Sequence, residues 1–239
     1  MNTLKVNRKN TLMVAHRGVS SCEAENTNAA FVAAGSRSYY GIETDTHVTK
    51  DGQFVVIHDN STKRVAEVNI PVEESSLYEL QQILLRDIDG TTARGDLKIP
   101  TLSEYIRICK KYEKVCVLEL KNSFLETNIE KLVAEIRSCD YLDHVIFISF
   151  HEENMITLRK LLPDHPLQLL TTTWNENALK LLTDYHLDLD IEYKALTCEI
   201  IQDLHAKGIK VNCWTCDDPT AAEQLIEWGV DYITSNCLE

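Results

Sequence analysis

Four short runs in this chain carry side chains able to do chemistry: His16-Arg17-Gly18, Glu43-Thr44-Asp45, His58-Asp59 and Glu119-Leu120-Lys121. Each lies at, or just past, the end of an apolar stretch. Two imidazoles supply a proton acceptor and a proton donor near neutral pH. Three carboxylates supply hard oxygen ligands for a cation, while Arg17 and Lys121 supply positive charge for an anion. That is an inventory suited to cleaving a phosphodiester. Along a strand, residues i and i+2 share a face about 6.6 Å apart, and neighbouring strands lie about 4.8 Å apart. Glu43, Asp45 and Glu119 can therefore converge on one cation. An all-oxygen set suits Ca²⁺, Mg²⁺ or Mn²⁺ better than Zn²⁺. Any one of these runs has a bland reading, such as a structural histidine, a solvent-facing acid pair or a surface ion pair. Their joint placement at the ends of consecutive strands does not.

The elements that must position them alternate. Strand-like runs span residues 12–15, 41–46, 115–120, 145–150, 167–172, 187–191, 209–214 and 231–235. Helix-like segments span 26–34, 102–111, 128–138, 152–162, 176–185, 198–207 and 219–228, the first capped by Asn26 or Thr27. Such alternation indicates a parallel sheet, and eight strands in 239 residues fit a closed α/β (β/α)8 TIM barrel forming a single domain. A doubly wound open sheet would place a glycine-rich phosphate loop after its first strand, and none is present. The alternation breaks after the second strand. Lys50-Asp51-Gly52 makes a turn, 53–57 reads as a second extended arm, and 59–97 reads as an insertion over the barrel mouth with a short helix at 77–85.

Composition narrows the function classes. Apolar residues make up 44%, and the net charge is −13, which disfavours nucleic acid and anionic membrane surfaces as partners. The first ten residues lack the apolar core of a signal peptide, and no run is long and apolar enough for stable membrane insertion. Eight cysteines without a secretory leader read as reduced thiols, so the expectation is a cytoplasmic protein. Cys213 and Cys216 form a lone CxxC with no second pair to complete a metal site. His47 is read as supporting or structural, and His144, His165, His186 and His205 as surface residues.

The runs Val14-Ala15-His16-Arg17-Gly18, Glu25-Asn26-Thr27, Ile42-Glu43-Thr44-Asp45, Thr49-Lys50-Asp51-Gly52 and Val56-Ile57-His58-Asp59 occur in that order. Glu119-Leu120-Lys121, Ser149-Phe150, Trp214-Thr215 and Gly229-Val230-Asp231-Tyr232-Ile233-Thr234 follow them. The set resembles the glycerophosphodiester phosphodiesterase family, across nearly the whole chain. The resemblance implies a TIM barrel with a small insertion after the second strand. It assigns Glu43, Asp45 and Glu119 to a divalent metal, His16 and His58 to acid–base work, Arg17 and Lys121 to the phosphate, and Trp214 to the substrate pocket wall. Two departures stand out: Ala24 replaces the family's proline before Glu25, and Cys216-Asp217 after Trp214-Thr215 is atypical. The implied reaction is metal-dependent hydrolysis of a small-molecule glycerophosphodiester to an alcohol and glycerol 3-phosphate. The attacking group is either water or the neighbouring glycerol hydroxyl, and the histidines' directions stay open. Two alternatives remain at this point: a lysophospholipid or sphingolipid phosphodiesterase on the same scaffold, and a non-catalytic phosphate- or metal-binding barrel. Phe150, Trp174, Glu192, Tyr193 and Trp214 are candidates to shape the pocket, with Glu192 suited to a cationic head group. The oligomeric state is left open.

Overall fold

A computed structural model describes residues 2–239. Its sheet has nine strands. Eight are parallel: β1 (Leu12–Ala15), β2 (Gly41–Val48), β4 (Val115–Leu120), β5 (Val145–Ser149), β6 (Leu167–Thr171), β7 (Asp188–Glu192), β8 (Val211–Trp214) and β9 (Tyr232–Ser235). Each pairs with its neighbours, and β1 pairs with both β9 and β2, so the sheet closes into a barrel. The ninth, β3 (Phe54–Val56), runs antiparallel to β2 as the arm expected after the Lys50-Asp51-Gly52 turn.

Among the described residues, seven helices ring the barrel: α1 (Asn28–Gly35), α3 (Leu102–Lys111), α4 (Glu126–Ser138), α5 (Glu152–Leu161), α6 (Glu176–Asp184), α7 (Cys198–His205) and α8 (Pro219–Trp228). Their limits follow local chemistry. Thr101 and Glu104 make a reciprocal capping box at α3. Pro219 at the first turn and left-handed Gly229 after the last bound α8. Alternate strand residues, such as Leu118, Phe147, Leu189 and Ile191, pack outward against the helices in the main core. The others turn inward, where Val14, Val117, Ile146, Ile148, Leu170 and Tyr232 fill the barrel.

The insertion has a core of its own, built from Val55, Ile57, Ala66, Val72, Leu80, Ile83, Leu85, Leu97 and Ile99. The expected helix at 77–85 is shorter, α2 (Leu77–Gln81). The chain leaves it in a turn so that Leu85 can bridge Ala66, and this leaves Leu84 37% exposed rather than on a buried helical face. Among the described residues, no helix is long and apolar enough to cross a membrane.

Candidate active site

β1, β2, β4 and β8, with the segment after β3, bring the expected groups to one cavity of about 90 Å³. His16, Arg17, Glu43, His58, Glu119, Lys121 and Trp214 all line it. Asp45 sits behind Glu43 on β2, in register with Glu119. Ligand oxygens of Glu43, Asp45 and Glu119 lie within 4.8 Å of one another, and all three side chains are buried. No other such group occurs among the described residues.

Three carboxylates this close repel one another, and the protein answers only partly. Arg17 Nε lies 3.4 Å from Asp45, and Lys121 Nζ lies 2.9 Å from Glu119 and 3.3 Å from Asp45. Burial, and then the Asp45 charge, push Glu119 up to about 8 and Glu43 well above the ordinary carboxylate range. Asp45 also pays for burial, but Arg17 and Lys121 overcome that and hold it well below its usual value. Asp45 Oδ1 and Glu119 Oε1 are buried without a hydrogen bond of good geometry. Closely spaced hard oxygens, shared among too few cations, are the donor set that a small divalent cation completes, so the trio fits a metal.

The backbone entering the site is strained to serve it. Arg17 and Gly18 both adopt left-handed conformations. A side chain on Gly18 would meet the Ala30 backbone at 2.6 Å, so only glycine lets α1 approach. The turn aims the Arg17 N–H at Glu43 Oε2, 2.9 Å away.

Each imidazole is fixed through Nδ1. Asp217 accepts from the Asn236 amide nitrogen at 2.6 Å, which obliges Asn236 Oδ1 to face Ser20 and His16. His16 Nδ1 lies 2.7 Å from that oxygen, so it donates, and its Nε2 is left as the unprotonated face, 3.9 Å from Glu43. Burial, reinforced by Arg17, lowers His16 to about 4. His58 Nδ1 donates to Asp59 at 2.6 Å. Burial lowers His58 as well, but Asp45 and Asp59 oppose it. Against its own burial, hydrogen bonds from Arg64 and His58 hold Asp59 down at about 2.

Sequence reasoning missed the groups that hold these side chains. Asn26 is not the helix cap; Thr27 is. Asn26 instead takes a left-handed conformation, donates to Asp45 Oδ2 at 2.7 Å and accepts from Thr44. Arg64, in the insertion, grips Asp59 and Glu25 at once, and Glu25 in turn accepts from Arg17 at 2.9 Å. His47 is fully buried, with Nδ1 2.9 Å from Glu73 and Nε2 3.3 Å from the His58 carbonyl, so it supports the turn carrying His58. Asp217, flagged from sequence only as atypical, anchors Asn236. Phe150 and Trp214 form an edge-to-face pair, centroids 5.6 Å apart, on the cavity wall. Trp174, Glu192 and Tyr193 are not among the lining residues; Asp190 is. The surface reading of His165 also fails: its ring is half-buried and lies 5.3 Å from Phe147.

A family model described as the glycerophosphoryl diester phosphodiesterase family matches residues 16–239. A glycerophosphodiester phosphodiesterase of Caldanaerobacter subterraneus is 30% identical, over 95% of this chain and 94% of its own length. One of Bacillus subtilis is 26% identical, over 94% of this chain and 83% of that protein. Among solved structures, a glycerophosphodiester phosphodiesterase from Parabacteroides distasonis superposes with a TM-score of 0.82 at 26% identity, covering 95% of this chain and 93% of its own. An Oleispira antarctica phosphodiesterase, solved with the product sn-glycerol-3-phosphate, has a TM-score of 0.82 at 24% identity, covering 98% of this chain and 96% of its own.

Proposed function

Because the chain belongs to the glycerophosphoryl diester phosphodiesterase family, a family of enzymes on this barrel, we propose that it hydrolyses glycerophosphodiesters to an alcohol and glycerol 3-phosphate. One observation carries the reading: cation-fitting carboxylates, two oriented imidazoles and two cationic side chains surround a single small cavity. Glu43, Asp45 and Glu119 hold a divalent cation, Ca²⁺, Mg²⁺ or Mn²⁺ by their oxygen chemistry. When bound, the cation supplies Lewis-acid polarisation of the phosphate. Arg17 and Lys121 bind the non-bridging oxygens and stabilise the charge that grows there. Trp214 forms the wall against which the substrate rests.

The two histidines divide the proton work by their partners. His16 is backed by a neutral amide and is unprotonated at neutral pH, so its Nε2 accepts the proton of the attacking hydroxyl. His58 is backed by the Asp59 carboxylate, which offsets part of its burial and makes it the readier of the two to hold a proton, so it donates to the leaving oxygen. The insertion takes part through Arg64, which orients Asp59 while the segment borders substrate access. The test is release of glycerol 3-phosphate from glycerophosphocholine. Turnover that disappears with EDTA and returns with a divalent cation supports the reading; full activity after exhaustive chelation, or no turnover with any cation, refutes it.

A second reading, cleavage of lysophospholipids at the same site, takes support from Val68, Tyr78 and Ile88, which the insertion exposes by 57%, 73% and 54%. Rates on micellar lysophosphatidylcholine above those on glycerophosphocholine would favour it.

A further inference from the structure

One buried acid in the cavity has no task in the scheme above. Asp190, on β7, is 1% exposed and lines the same cavity as His16 and Glu119. Its neighbours in the barrel interior satisfy one another. Asn212 donates to Gln168 at 3.0 Å, and Thr234 donates to Asn212 at 3.3 Å. Asp190, in register with Asn212, takes no part, and its Oδ1 is buried with no partner. An unmatched buried carboxyl is costly, so such a group is rarely kept for stability alone. Trp214 also leaves its indole Nε1 buried and unpartnered beside the same cavity.

The register places these groups at different depths. Trp214 pairs with Glu192, whereas Asp190 pairs with Asn212, so Asp190 lies one inward-facing layer below the Phe150–Trp214 aromatic pair. Phe150 is 41% exposed and marks the mouth. A phosphodiester has two arms, and only a small one fits below the phosphate. The cavity, about 90 Å³, is small. A small arm facing an unmatched carboxyl has to bring hydrogen-bonding hydroxyls.

We propose that Asp190 is a specificity-determining residue that hydrogen-bonds a hydroxyl on the three-carbon polyol arm of the substrate, leaving the variable alcohol at the aromatic mouth. The inference rests on the glycerophosphodiester reading and extends it to the seating of the two arms. It accounts for an acid in the barrel interior, where Val117, Ile148 and Leu170 are the apolar norm.

The test compares Asp190→Val and Asp190→Asn with the unaltered enzyme, holding its divalent cation, on three substrates: glycerophosphocholine, glycerophosphoglycerol and bis(4-nitrophenyl) phosphate, which has no hydroxyl. Asp190→Val should lower kcat/KM about 10- to 100-fold on both glycerol diesters, and by less than about 3-fold on the nitrophenyl diester. Asp190→Asn, which keeps a hydrogen-bonding oxygen at the same place, should lose less than about 10-fold. The melting temperature of Asp190→Val should hold or rise by about 2–6 °C, because an unmatched buried acid is gone. A merely structural role would lower it. Equal losses on all three substrates, or none on the glycerol diesters, overturn the assignment. A loss confined to glycerophosphocholine would place the choline cation at Asp190 and overturn it too. An unaltered enzyme that cleaves no glycerol diester overturns this inference together with the reading beneath it. Cleavage by the unaltered enzyme that Asp190→Val matches overturns the inference alone.

Discussion

Glu119→Gln is the perturbation that separates a cation site from a merely crowded one. Glu119 is 6% exposed, and its partner Lys121 does not compensate for burial beside Asp45, so its pKa is pushed up to about 8 from 4.5. The sign follows directly. A carboxyl whose folded value lies above its unfolded value costs nothing below about pH 4, and progressively more as the pH climbs through 8. Each unit corresponds to about 1.36 kcal/mol, so the metal-free protein loses roughly 3–5 kcal/mol from this group by pH 9. Glu43, raised by burial and by Asp45, pulls the same way. For a chain of this size, 1 kcal/mol moves Tm by about 2–4 °C, so the loss is on the order of 10 °C. A cation at one hundred times its Kd returns about 2.7 kcal/mol.

The assay is thermal melting after chelation and dialysis, from pH 5 to 9, with and without Mg²⁺ or Ca²⁺. The unaltered protein should lose stability steeply above pH 6 when metal-free and recover most of it with the cation. Glu119→Gln should be the more stable of the two when metal-free at pH 8, show a flatter pH profile, and gain little from the cation. The reasoning is wrong if the metal-free proteins melt alike at pH 8 and the cation shifts both equally.

Four further outcomes follow from the same geometry. His16→Ala and His58→Ala should each lower kcat by roughly 10²–10⁴-fold with little change in Tm, and near-normal turnover in either would make that histidine structural. Asn236→Leu removes the acceptor that fixes the His16 tautomer, so kcat should fall about 10-fold or more while KM holds; a loss confined to KM would contradict that role. Arg64→Met leaves Asp59 and Glu25 without their shared anchor and should lower kcat about 10-fold through lost orientation of Asp59; an unchanged kcat would separate the insertion from the acid step. A 2-deoxy glycerophosphodiester should bind but turn over very slowly if the neighbouring hydroxyl attacks first, whereas rapid cleavage with single-step entry of solvent ¹⁸O into phosphate would establish direct attack by water.

The barrel was legible because its signals are local and periodic. Apolar runs of strand length alternated with helix-like segments. The acid trio was legible because a period of two fixes the face on which Glu43, Asp45, Glu119 and Lys121 emerge. What sequence could not show depends on contacts far apart in the chain or on conformation. Asn26 reads as a cap until its left-handed backbone turns it toward Asp45. Arg64 reaches Glu25 across 39 positions, and His16 meets Asn236 across 220. Residues 77–85 had the spacing of one helix, yet the bridge from Leu85 to Ala66 ended it early. Asp190 was invisible for a different reason: Asp188, Asp190 and Glu192 alternate on one face, and nothing in the sequence says that only the middle one lines the cavity.

The same low dielectric explains why these supporting groups exist. Inside the barrel an unpaired charge is expensive, yet phosphoryl chemistry needs several charges of both signs within a few ångströms. The chain meets the demand with an ordered hierarchy. Arg17 and Lys121 neutralise Asp45 first, which is why Asp45 alone among the three carboxyls has its pKa lowered. Glu43 and Glu119 stay only partly neutralised, and that residual imbalance is what a divalent cation can correct. The imidazoles feel the same charges, but each is anchored by a partner outside the trio, Asn236 for His16 and Asp59 for His58. One partner is neutral and the other charged. Burial lowers both imidazoles, and under the proposed scheme that difference in partner makes His58 the readier of the two to carry a proton.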